Sequence, residues 1–106
     1  MKMVGSFTRV FGVIDMKLYR IFSQNVNKQW ICELVSQYFD SFTVFETTGY
    51  WKGCQEQSLC IEIMTDSYDI SVPGKIKVLS QAICLGNEQE SVLIQELDVK
   101  HESITV

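Results

Sequence analysis

Residues 42–65, FTVFETTGYWKGCQEQSLCIEIMT, decide how this chain folds. β-Branched and aromatic residues dominate both ends, and Gly49-Tyr50-Trp51-Lys52-Gly53 interrupts them. The pattern predicts two strands joined by a glycine-framed aromatic turn. A turn centred near Cys54 pairs Phe45 with Ile63, Thr47 with Ile61 and Gly49 with Leu59 on the face that meets the rest of the core. Strand side chains alternate, so the other face then carries Val44 beside Met64, Glu46 beside Glu62, Thr48 beside Cys60 and Tyr50 beside Ser58. Like charges directly opposite each other destabilise a sheet. Two readings of Glu46 and Glu62 follow. Either they share a proton, a cation or a basic partner side chain, or they are solvated glutamates at offset positions.

Working outward, residues 3–14 alternate loosely and predict an extra N-terminal strand, residues 1–15 in all. Lys17–Phe22 alternates again, with Leu18 and Phe22 or Tyr19 and Ile21 inward. Asn27 is a candidate N-cap. Ile31, Leu34, Val35 and Tyr38 then share one helical face, with Trp30 beside it, and Asp40-Ser41 closes the helix. Beyond the hairpin, Ser71 can cap a second helix with Pro73 in its first turn. Val72, Ile76, Leu79 and Ile83 form its buried stripe, and Gly86-Asn87 its stop. A last strand carries Val92 and Ile94 against Leu93, Leu97 and Val99. Residues 98–106 extend it or form a tail. After the extra strand the order is βαββαβ in one domain of 106 residues. That is an α+β, ferredoxin-like arrangement, an antiparallel sheet with two helices on one face.

Phe42-Thr43-Val44, Glu46, Gly49-Tyr50-Trp51, Gly53 and Leu59-Cys60-Ile61-Glu62-Ile63 resemble the hairpin of small uncharacterised ferredoxin-like proteins from bacteria and mobile elements. Gln89-Glu90-Ser91-Val92-Leu93 resembles their last strand. The resemblance covers roughly residues 16–97 and implies the fold; no activity comes with it. Cys54, Cys60 and the long N-terminal strand depart from it.

Composition narrows the function classes. Hydrophobic residues make up 46% of the chain, ample for a core, and the formal net charge is −4. Residues 1–53 hold six bases and four acids, residues 54–106 three bases and nine acids. An acidic second half opposes phosphate-backbone binding and suits either a basic protein surface or simple solubility, since −4 is an ordinary charge for a small domain. Lys17, Arg20, Lys28 and Lys52 are too few for a nucleic-acid groove. The N-terminus shows no signal peptide, and no run reaches the length of a membrane span, so the reading is of a soluble, cytoplasmic chain. Cys32, Cys54, Cys60 and Cys84 form no CxxC pair and His101 is the sole histidine. Metal and cofactor sites are therefore not expected. Cys32 and Cys84 read as small core residues, and Cys54 as an exposed turn residue.

No catalytic constellation is visible, so the expectation is a non-enzymatic protein-binding module that self-associates. Its partner-binding candidates are Glu46, Glu62, Tyr50, Trp51, Glu88, Glu90 and Glu96. Val44 and Met64 are the candidate oligomer interface. Tyr50 and Trp51 have two readings, as anchors for a partner or with Trp51 folded back over the core edge between Gly49 and Gly53, the second being favoured for Trp51. Single Ala and Pro residues and two Arg hint at an AT-rich genome, as in many phages. The concrete version is then an inhibitor of a bacterial defence system, such as an anti-CRISPR protein. The alternative is an oligomeric, ligand-binding regulator of ferredoxin-like fold, with its cleft near the glycine turn.

Overall fold

The structure is a computed structural model that describes residues 14–102. Its elements are β1 (Ile14–Gln24), α1 (Lys28–Ser36), β2 (Thr43–Trp51), β3 (Cys54–Asp66), α2 (Val72–Gly86) and β4 (Leu93–His101). The strands form one antiparallel sheet in the order β2-β3-β1-β4. Both helices lie on one side of it, which is the ferredoxin-like arrangement. Ile14 and Asp15 belong to β1. The rest of the expected extra strand lies outside the described residues, as do residues 103–106.

Alternation along β1 resolves in favour of Tyr19 and Ile21, which are buried beneath the helices with Ser23. Leu18 and Phe22 point to the other side. Asn27 caps α1, its Oδ1 accepting from the Trp30 N–H at 3.2 Å. Ile31 and Val35 are fully buried. The helix ends at Ser36, short of Asp40, because Gln37 and Tyr38 donate to the carbonyls of Leu34 and Val35 and tighten the last turn. Tyr38 still packs on the core. In α2, Val72, Ile76, Leu79 and Ile83 are all buried, and Pro73 sits in the first turn, where its missing N–H leaves no bond unmade. Ser71 occupies the N-cap position without a side-chain capping bond. Asp69 serves instead, its Oδ1 accepting from the Ser71 N–H at 3.0 Å and the Ser71 hydroxyl at 2.7 Å.

The hairpin departs from expectation. Its turn is only Lys52-Gly53, with φ of 50° and 80°, and two positive φ values define a type I′ turn. Gly49, Tyr50 and Trp51 belong to β2. The short turn pairs Trp51 with Cys54, Phe45 with Cys60 and Glu46 with Leu59. Relative to the expected register the partner of every β2 residue moves by three positions. An odd shift exchanges the two faces of a strand, so Val44 turns toward the helices and packs on the core, while Phe45 turns away.

Candidate functional site

The face of the sheet away from the helices is the main unassigned surface. β1 contributes Met16, Leu18 and Phe22, which pair with Val99, Leu97 and Leu93 of β4. β3 and β2 add Cys60, Met64 and Phe45. Phe45 is 44% exposed, Met64 43% and Leu93 60%. The tight hairpin turn and the pleat bring these residues together; no sequence motif marks them. A contiguous apolar patch on a small domain marks an interaction surface. Inside the patch, Arg20 Nε donates to Glu62 Oε2 at 2.7 Å across the β1–β3 pair. The Arg20 and Glu62 side chains are 36% and 23% exposed, so the ion pair sits among apolar neighbours yet remains open to water.

Glu46 lies on the opposite side. It accepts from Lys28 Nζ at 2.9 Å, and that carboxylate raises the lysine pKa above its ordinary value. Glu46 and Glu62 therefore belong to different faces with a different cation each, and the carboxylate pair does not exist. Of the two expected interface residues, Met64 is on the open face and Val44 is not, because of the parity change. Leu18, Phe22, Phe45, Leu93 and Leu97 were missed as site residues for the same reason: alternation shows two faces without saying which one the helices cover.

Gln57 still accepts from the Asn25 N–H at 3.0 Å, but the backbone of Cys54–Glu56 pairs only with β2, beyond the end of β1 at Gln24, so the hairpin tip projects from the sheet. Tyr50 and Trp51 are 71% and 68% exposed there. Trp51 does not fold back over the core; Lys52 Nζ stands 5.7 Å from its ring centroid. The other acidic candidates are scattered. Glu96 accepts from Lys17 at 3.2 Å beside Asp98, and the two carboxylates, Asp98 first, raise the Lys17 pKa. Glu88 and Glu90 are exposed in the α2–β4 connection.

Of the cysteines, Cys54 is exposed and Cys32 and Cys84 are half-buried, less enclosed than expected. Cys60 is buried under the open face. Burial, then the nearby Glu62, pushes its thiol pKa up, which makes it a poor nucleophile. Among the described residues no group of three or more His, Cys, Asp or Glu is placed to hold a metal ion. No helix among them is long and apolar enough to cross a membrane.

A shallow cleft of about 410 Å³ opens where the end of α1 meets the start of α2, bordered by Tyr38, Asp40, Asp66, Asp69 and Lys75. It lies at the Asp66 end of β3, whereas the glycine turn is at the Cys54 end. Its three carboxylates face one ammonium. Asp69 is held below the ordinary carboxylate range by its bonds from Ser71, so it stays charged and the cleft repels anions.

No protein-family profile matches the chain, and no curated protein matches it in sequence. Solved structures do match in fold. CPII from Thiomonas intermedia K12, a nitrogen regulatory PII-like protein bound to ADP, AMP and bicarbonate, superposes with a TM-score of 0.60 at 12% identity over 88% of this chain and 99% of its own. A DUF3240 family protein from Shewanella baltica OS155 gives a TM-score of 0.59 at 15% identity over 86% of this chain and 96% of that one. A phage SAM lyase in complex with S-methyl-5′-thioadenosine gives 0.55 at 14% identity over 92% and 97%. At these identities the shared property is the ferredoxin-like fold.

Proposed function

We propose that this chain is a regulatory, ligand-binding protein that works as an oligomer, and that its ligand is an adenosine derivative. The observation that carries the reading is the near-complete fold match to a PII-like protein holding ADP and AMP. The lyase match supports the same ligand class, since S-methyl-5′-thioadenosine is also an adenosine derivative. Self-association is supported by the apolar open face, which a small domain gains by covering. The cleft described above is acidic and unsuited to a phosphate, and under this reading the ligand lies at a contact between subunits. The role is binding, with no turnover.

Thermal unfolding with ADP, AMP, S-adenosylmethionine and inorganic phosphate tests the reading. A specific ligand at one hundred times its Kd adds about 2.7 kcal/mol of stability, and one of the adenosine compounds should raise Tm accordingly. Unchanged Tm with all of them at millimolar concentration overturns it. Cleavage of S-adenosylmethionine, followed by mass spectrometry, replaces the regulator with an enzyme.

A second reading, an inhibitor that occupies a partner protein such as a defence nuclease, is favoured by one observation, the projecting Tyr50–Trp51 tip. Aromatics so exposed act as interface anchors. Under this reading Trp51→Ala abolishes capture of the partner; under the first it leaves the ligand response intact.

A further inference from the structure

Among the described residues the two outer strands of the sheet are β2 and β4, and they differ in how they are protected. An edge strand presents a row of unpaired backbone groups, and charges, prolines or bulges normally guard it. β4 carries Glu96, Asp98 and Lys100 in nine residues. β2, TVFETTGYW, has one charge, no proline and no bulge, its pairing with β3 being one-to-one from Thr43 to Trp51. The charges on both edges are paired, Glu46 with Lys28, Glu96 and Asp98 with Lys17, and Lys100 with Asp15, so the edges differ in number of charges, one against three. The rest of β2 is Thr, Val, Phe, Tyr, Trp and one Gly, nearly all good strand formers.

We infer that β2 is a self-pairing edge, and that two copies of this chain join through it, antiparallel about a two-fold axis at Thr47, into one continuous sheet. The phase of the backbone supports this axis. In a two-residue hairpin the residues flanking the turn, Trp51 and Cys54, form a hydrogen-bonded pair. Alternate residues of β2 then bond inward to β3, and Val44, Glu46, Thr48 and Tyr50 present N–H and C=O groups outward. Pairing about Thr47 sets Val44 against the partner's Tyr50 and Glu46 against the partner's Thr48. Every outward group therefore meets an outward group.

Side chains select the same register. For the helices of both copies to share a side, paired residues must lie on the same face. Centring on Glu46 sets two carboxylates against each other, which is unfavourable. Centring on Thr48 leaves the first two residues of the strand unpaired. Centring on Thr47 uses all nine, places Thr47 against Thr47 and sets Phe45 against the partner's Gly49. A Cβ on Gly49 would come within 3.0 Å of Ser58 Oγ, so that position stays bare on the open face, and an aromatic ring opposite a strand glycine fills the space it leaves.

The inference rests on the self-association in the proposed function and adds a contact at the β2 edge, which joins two sheets side by side and leaves the open face uncovered. Sedimentation velocity at about 100 µM gives the mass. Thr47→Lys places two ammonium groups at the axis, and Thr48→Pro removes an outward N–H that β3 does not use, a tolerated place for edge proline. Each should halve the mass, with the circular dichroism spectrum unchanged; should the proline variant misfold, the lysine variant decides alone. In a Cys54→Ser background, Thr47→Cys should oxidise to a covalent dimer, since facing residues of a non-hydrogen-bonded pair stand about 4.5 Å apart at Cα. Thr43→Cys, opposite the partner's Trp51, should not. An oligomer whose mass Thr47→Lys leaves unchanged, or equal cross-linking at both positions, overturns the β2 contact while self-association stands. A wild-type monomer overturns both. The Tm response of the wild type to adenosine compounds is read separately, and a response alongside a failed β2 test leaves the proposed function standing without this contact.

Discussion

Gly86 shows how one residue can be read in the right place for the wrong reason. As a glycine followed by asparagine at the end of a helical pattern, it reads as a helix stop. It is instead the last helical residue, and a Cβ there would overlap the six-membered ring of Trp30. The backbone reversal falls on Glu88, with φ of 56°. The Gln89 N–H reaches back to the Cys84 carbonyl at 2.9 Å, closing the helix as a Schellman motif. No local signal in Glu88 announces a left-handed residue, and the Trp30 contact joins residues far apart in sequence, so neither was legible. Gly86→Ala should cost about 1–3 kcal/mol in urea unfolding, the usual range for overpacking. Adding Trp30→Leu should recover part of that loss, because residues in contact couple. An additive double variant would refute the contact.

At the scale of elements, the start of α2 separates two candidate caps. Ser71 is the residue its position nominates, and Asp69 is the one whose carboxylate accepts the bonds. Asp69→Ala should lower Tm more than Ser71→Ala does. The pH dependence has a definite sign. The Asp69 pKa is depressed in the folded state, so its stabilisation is complete above the unfolded value of about 3.9 and is lost as pH falls through the lower folded value. Tm measured from about pH 5 downward should therefore fall less steeply in Asp69→Asn than in the wild type. Equal slopes would remove Asp69 as the cap. In the hairpin, alternation was legible and turn length was not. Gly49 and Gly53 are equally good punctuation in a sequence. The I′ turn uses only Gly53, because a right-twisted pair of strands closes best over two residues with positive φ.

For the whole molecule, the open face is the feature with the largest consequence. Leu18 and Leu97 are partners across β1 and β4 and lie away from both helices. Ile21 lies beneath them, fully buried. Replacing Leu18 and Leu97 together with Gln should leave the fold intact by circular dichroism and weaken dye binding to the apolar face. Ile21→Gln should unfold the chain, since a core position loses its transfer free energy and gains an unpaired amide, a loss of several kcal/mol. The opposite ranking would mean that the helices cover the other side.

What the amino-acid order determined by itself was local: which stretches are strands and helices, the Asn27 cap, the stripe Val72, Ile76, Leu79 and Ile83, and hence the βαββαβ order with its ferredoxin-like consequence. Periodicity carries that information because each element must present one apolar side, whatever it packs against. The tertiary structure alone decided the partners of Glu46 and Glu62, the outward turn of Phe45, the inward turn of Val44 and the exposure of Trp51. Those follow from register, and register depends on the length of a single turn and on which side of the sheet the helices occupy. A strand of alternating residues fits either side equally well until the rest of the chain is in place.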